Sequence, residues 1–328
     1  MKEMDIREFS NIKIGNAENV TAATGCTVII SESGMRAGLD VRGGGPASRD
    51  SELLKPLAAA GEIHAVVLGG GSAYGLDAAG GVMQFLEERG IGLDVGITKV
   101  PLVCQSDIFD LTVGDSQIRP DKAMGYEACQ NAYAGNYRDG NYGAGVGATV
   151  GKLQGMDYCM KSGIGSYGVQ VGNLQLGAVV VVNSLGDIYD FHTGKKIAGM
   201  LKEDKKTFAD SEECLYRSTE VRENKFVGNT TIGAIITNAG LDKSQLCKIA
   251  GMAHNGYARS IRPVHTSADG DSIYALSVGN VEADMDLVGT LAARVMSEAI
   301  TRAVKSAKQA YGFPASEDIV GLGDGGSE

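Results

Sequence analysis

FVGNTTIGAII, residues 226–236, is the stretch on which the reading of this chain turns. Its apolar residues Ile232, Ala234, Ile235 and Ile236 fit a buried strand, yet the run opens on the turn-prone pair Gly228-Asn229, followed by Thr230 and Thr231. A plain strand needs no such break. Taken alone, the two threonines fit ordinary strand residues. They also fit the start of a new chain.

The second reading has a chemical basis. A threonine hydroxyl is a poor nucleophile until a base takes its proton. When threonine is the first residue of a chain, its own α-amine, with an ordinary pKa of ~8, serves as that base. An internal threonine reaches this state only if the preceding peptide bond is cut. The hydroxyl can do this itself, by attacking the carbonyl before it to give an ester that water hydrolyses. Such a site needs a permissive residue before the nucleophile, a carboxylate network to hold the hydroxyl and donors for the oxyanion. Asp269 and Asp271 stand two residues apart just before an apolar strand, and on an extended segment i and i+2 share a face. Lys152 is the only cation in GAGVGATVGKLQG (143–155), which a solvated loop lysine would also explain.

Composition sets the limits. The 328 residues can build one extended domain or two ordinary ones, and the 43 % apolar fraction is that of a globular protein. The 47 glycines against six prolines point to tight turns and close backbone approach rather than a linker. A net charge of −10 without any Lys/Arg block argues against nucleic acid. No apolar run reaches the ~18 residues of a membrane span, and MKEMDIREFSNIKIGN lacks the apolar centre of a signal peptide, so a cytoplasmic location is expected. The six cysteines form no C-x-x-C and read as reduced thiols; the four histidines form no H-E-x-x-H, so neither a metal nor a cofactor is expected.

Along the chain, residues 24–45 read as a hairpin turning at Glu-Ser-Gly, and 64–71 as a buried strand running into a helix that stops at Gly90. A second helix covers 119–135, and strands cover 178–183 and 187–191. The charged stretch 201–225 reads as a helix and an exposed loop. Asp242 with Gln245 announces a capped helix, 271–279 a strand, and a long final helix runs to Gly312. Without strict βαβ alternation, this order favours a layered α/β or α+β sandwich over a doubly wound sheet. LGGGSAYG (68–75) does not fit G-x-G-x-x-G, and GAGVGATVGK has Val146 where a phosphate loop needs glycine and Leu153 where it needs Ser or Thr. Backbone packing, with N–H groups free to face an oxyanion, accounts for both loops better. No G-x-S-x-G elbow occurs.

Six motifs in order, GNAENVTAATGCTVII, GGGPASRDSELLKP, AVVLGGGSAYGLDAAGGVM, GAGVGATVGK, NTTIGAIITNA and DGDSIYALSVG, resemble peptidase family S58. The resemblance extends from about Ile12 to about Ala310 and is greatest to the subgroup with an Asn-Thr junction, the nylon-oligomer endo-hydrolases. It implies a four-layer αββα sandwich similar to the N-terminal-nucleophile hydrolases. It implies one hydrolase domain, residues 1–328, that cleaves itself between Asn229 and Thr230 into a 1–229 α chain and a 230–328 β chain. Thr230 then matches the nucleophile, Asp269 and Asp271 the acidic pair, Lys152 a lysine near the scissile bond and Asn183 an oxyanion donor. The implied activity is amide hydrolysis, as an aminopeptidase or an endo-acting amidase on small peptides or oligoamides, in a homo-oligomer, a tetramer of αβ protomers. The family's aminopeptidases carry Gly-Ser and Ser…Glu where this chain has Asn-Thr and Asp…Asp. An acyltransferase of the ornithine acetyltransferase type and a non-enzymatic relative are the alternatives.

Overall fold

Residue 230 opens a strand buried on both faces in the computed structural model, which describes residues 1–217 and 228–319. Ten strands build the frame. They are β1 (Lys2–Met4), β2 (Lys13–Asn19), β3 (Thr24–Val41), β4 (Ala47–Arg49), β5 (Ile63–Gly69), β6 (Val103–Asp107), β7 (Ile164–Val171), β8 (Leu174–Asn183), β9 (Thr230–Ala239) and β10 (Ser272–Val281). The helices are α1 (Ala78–Glu87), α2 (Lys122–Tyr133), α3 (Ser211–Arg217), α4 (Lys243–Ser260) and α5 (Met285–Ser306).

The strands follow one path, β1-β7-β8-β9-β10-β3-β5-β6-β4, with β2 beside β3. The path folds at β3. Residues 36–41 of β3 pair with β10, whereas residues 26–30 lie between β2 and β5. The hairpin expected over residues 24–45 is therefore a single bent strand. Ser31-Glu32-Ser33-Gly34 does not reverse the chain: Ser31 Oγ donates to the Gly34 carbonyl at 2.9 Å, Gly34 has φ 81°, and the register shifts between Ile30 and Met35. Such a bulge bends a strand and re-aims its continuation.

Alternate side chains then serve different layers. Between the sheets lie Ile29, Val66 and Leu68 from one and Val179, Val181, Ile232, Ile236 and Leu276 from the other. Val180, Val182, Ile235 and Ala275 face outward under α4 and α5, and Val28 and Val67 face outward under α1 and α2. The layers run helix, sheet, sheet, helix: the four-layer αββα sandwich implied by the motifs. Close helix–sheet approach uses glycine, since a Cβ on Gly165 of β7 would lie 2.3 Å from the Ala299 carbonyl of α5.

Asp242 and Gln245 form the capping box expected at the start of α4. The last helix stops at Ser306, short of Gly312. Asn141 takes over there, accepting from Lys308 N–H at 3.1 Å and donating to the Lys308 carbonyl at 2.8 Å, so tertiary hydrogen bonds replace the next helical turn. Of the charged stretch 201–225, α3 is the helical part, and residues 218–225 lie outside the described residues.

Candidate active site

Sheet order brings distant residues to one point. Thr230, the first residue of β9, pairs with Asn183 at the end of β8, while Ile232 lies beside Ser272 of β10. Asn229 bridges to Asp269 just before β10. The junction therefore sits between the strand end that carries Asn183 and the strand entry that carries Asp269 and Asp271. Gly228 precedes it at φ 67°, a conformation that favours glycine, and a Cβ there would meet the Phe109 ring at 2.7 Å. Thr230 is only 4 % exposed.

The Thr230 hydroxyl donates to the Asn229 carbonyl, and that oxygen also accepts the Gly270 N–H at 3.0 Å. A hydroxyl and a backbone N–H thus both donate to the carbonyl oxygen of the peptide group between Asn229 and Thr230. A Cβ on Gly270 would lie 2.9 Å from both Thr230 Oγ1 and the Gly45 carbonyl, so a side chain there would intrude on the hydroxyl.

Lys152 and Asn183 grip the peptide one residue earlier. Lys152 Nζ donates to the Gly228 carbonyl at 2.6 Å, to Asn183 Oδ1 at 2.6 Å and to the Asn183 carbonyl at 3.0 Å. Asn183 Nδ2 donates to the carbonyls of Gly228 at 3.0 Å and Phe109 at 3.1 Å. Asn183 therefore holds Gly228 rather than the Asn229 carbonyl. Burial lowers the Lys152 amine to about 7, against the opposing pull of Cys159, Asp269 and Asp110. The glycine-rich loop 143–152 serves to deliver this lysine, and Thr149 N–H within it donates to Asn183 Oδ1 at 3.1 Å.

The two carboxylates lie close together but take different partners. Asp269 Oδ2 accepts from Thr266 N–H at 2.7 Å and Thr266 Oγ1 at 2.6 Å. Burial, then repulsion from Asp271, raises Asp269 to about 6, with the Thr266 hydrogen bonds opposing. Asp271 Oδ1 accepts Thr231 N–H at 2.7 Å, and its Oδ2 faces His265. The two carboxylates do not converge on the Thr230 hydroxyl itself: Asp271 holds the backbone just after it, at Thr231 N–H, whereas Asp269 holds Thr266 in its own loop.

A cavity of about 210 Å³ opens beside Thr230, lined by Gly45, Ser72, Asp107, Phe109 and Ala268 among others. Asp107 is buried; its Oδ1 accepts from Gln105 Nε2 at 2.8 Å, and its Oδ2 has no partner. Burial raises its carboxyl well above the usual range. The sequence reading missed Asp107, His265 and Gly270. The polar residues Gln105 and Asp107, two apart on one face of a strand, were a signal for the first. Among the described residues no group of three His, Cys, Asp or Glu side chains could hold a metal ion, and no helix is long and apolar enough to cross a membrane.

The mixed α/β sandwich brings a buried hydroxyl, amine and acidic pair together at the start of a strand. Solved structures agree on the fold. A β-aminopeptidase of Burkholderia sp. superposes with a TM-score of 0.64 at 19 % identity, covering 94 % of this chain and 88 % of that one. The L-aminopeptidase D-Ala-esterase/amidase of Ochrobactrum anthropi, described as a variant of the Ntn hydrolase fold, gives 0.64 at 18 % identity, covering 92 % and 86 %. An uncharacterized aminopeptidase of Mycobacterium leprae is 36 % identical over 342 residues, 94 % of this chain and 92 % of that protein. A 6-aminohexanoate-oligomer endohydrolase of Agromyces sp. is 30 % identical over 321 residues, covering 93 % and 87 %. The profile of peptidase family S58 matches residues 5–317, and the chain belongs to that family as an amide-hydrolysing enzyme.

Proposed function

We propose that this protein is an autoprocessed amide hydrolase whose nucleophile is Thr230, exposed by cleavage of the Asn229–Thr230 bond. The observation that carries the reading is the Thr230 hydroxyl lying on the Asn229 carbonyl, with the Gly270 N–H on the same oxygen. Thr230 Oγ attacks the Asn229 carbonyl carbon, the C–N bond breaks, and the hydroxyl proton passes to the departing nitrogen. The resulting ester is hydrolysed by water to the Asn229 carboxylate and the free Thr230 hydroxyl. Lys152 and Asn183 fix Gly228 during this step, and Asp271 fixes Thr231.

Cleavage creates the α-amine that then acts as base. It takes the Thr230 Oγ proton, the alkoxide attacks a substrate amide carbonyl, and the amine product leaves with the proton. Water releases the acyl group from Thr230. Departure of the Gly228–Asn229 end frees Asn183 Nδ2, which then donates to the substrate oxyanion with Gly270 N–H. The cavity beside Thr230 takes part of a small peptide or oligoamide, the substrate types named for the relatives. The protein works in the cytoplasm, in keeping with its six unpaired cysteines. It assembles as a tetramer of αβ protomers, and a light-scattering mass of one protomer at micromolar concentration would count against that. Thr230→Ala tests the whole reading: the chain should stay in one piece and hydrolyse no oligoamide, whereas processing in that variant would remove Thr230 from its role.

A further inference from the structure

His265 is not part of the junction, yet it supplies two of the three hydrogen bonds on the Asp271 carboxylate. Its backbone N–H and its Nδ1 both reach Asp271 Oδ2, at 3.2 and 2.8 Å. The other oxygen, Oδ1, accepts Thr231 N–H at 2.7 Å. One buried carboxylate thus has the imidazole on one side and, on the other, the backbone of the residue that follows Thr230.

The local backbone is shaped for this contact. His265 has φ 57°, a left-handed conformation disfavoured for residues with a Cβ and best tolerated by Gly, Asn, Asp and His. In it, the main-chain and ring donors converge on a single oxygen. The ring is also held from behind. His254 packs edge-on against it with centroids 4.7 Å apart, and Tyr257 lies at 6.0 Å. His254 is itself buried, with Nε2 3.1 Å from the Asp40 carbonyl, and burial lowers its imidazole to about 4. The carboxylate opposite Nδ1 places the ring proton there. His265 Nε2 is buried without a partner, so the polar contact of the ring is the one to Asp271.

A carboxylate rotates readily about its last torsion, which is broad rather than staggered. Two donors on Oδ2 fix its plane and hold Oδ1 toward Thr231 N–H. We propose that His265 is a positioning residue for Asp271: it orients the carboxylate that holds the backbone beside Thr230, before cleavage and in the mature enzyme. This rests on Thr230 being the nucleophile. It assigns His265 a place in the reaction without contact to the substrate.

Three substitutions separate orientation from packing. His265→Asn tolerates the left-handed backbone and offers an amide N–H close to where Nδ1–H lies. His265→Gly keeps the backbone and removes the donor. His265→Asp keeps the shape of Asn and turns an acceptor toward Asp271. Each purified chain is followed by intact mass for loss of the uncleaved form, by melting temperature, and after maturation by kcat and KM on a 6-aminohexanoate oligomer. Cleavage and kcat should stay within a few-fold of wild type in His265→Asn. They should fall roughly ten- to a hundred-fold in His265→Gly, the scale of losing one hydrogen bond to a charged group, and further in His265→Asp, with KM little changed. Wild-type rates in Gly and Asp would overturn the proposal, as would an Asn variant as slow as Gly at equal melting temperature. Thr230→Ala run alongside keeps the two claims apart, because cleavage persisting in that variant overturns the nucleophile itself.

Discussion

Replacing Lys152 with methionine removes a buried amine and its three hydrogen bonds. The Gly228 carbonyl keeps Asn183 Nδ2, and Asn183 Oδ1 keeps Thr149 N–H, while the Asn183 carbonyl loses the amine. Burial lowers this amine from 10.5 to about 7, and a tenfold change in proton affinity is worth about 1.4 kcal/mol. The charged form is therefore disfavoured in the folded chain by on the order of 5 kcal/mol. Below pH 7 that cost is fully present. Between pH 7 and 10.5 the unfolded chain binds more protons than the folded one, so stability rises with pH over this window. In Lys152→Met the rise between about pH 7 and 9.5 should shrink by about 2–4 kcal/mol. The assay is urea unfolding at several pH values, in a Thr230→Ala background so that the chain stays whole. Lys161, also buried and lowered to about 7, remains in both proteins and supplies the residual slope. Identical slopes with and without Lys152 would refute the argument. In the Thr230 background the same substitution should slow chain cleavage roughly ten- to a hundred-fold, since the Gly228 carbonyl loses its charged donor.

Asp271→Asn should slow processing by orders of magnitude, because its amide group cannot accept from Thr231 on one side and from both His265 donors on the other; full processing on a timed gel would defeat this. The cleavage rate should rise with pH through about 6 as Asp269 ionises, and this limb should vanish in Asp269→Asn, which stopped-time intact mass across pH 5–8 would reveal. Asp107→Asn should raise the melting temperature, and by more at pH 8 than at pH 5. The folded carboxyl keeps its proton well above the unfolded value, so the wild type loses stability as pH rises; an equal gain at both pH values would contradict this.

The motifs carried the layer order and the five proposed site residues further than any local pattern did. Thr230, Asn183, Asp269, Asp271 and Lys152 come together because β8, β9 and β10 are neighbours, and pairing between strands so far apart in the chain leaves no local signal. The turn-like residues 31–34 misled because a bulge and a hairpin draw on the same residue types; only the pairing of residues 36–41 with β10 separates them. The end of α5 depended on Asn141, far away in sequence. His265 was passed over for a different reason. Histidine was weighed as a metal ligand, whereas its contact to Asp271 arises from a left-handed backbone that sequence does not mark.

The most direct test of the central claim is to purify the chain, follow it by intact mass and sequence the smaller fragment from its N-terminus. Two pieces are expected, residues 1–229 and 230–328, the second beginning Thr-Thr-Ile-Gly, and a single uncleaved mass in Thr230→Ala. A fragment beginning at any other residue, or an active enzyme that remains one chain, would contradict it.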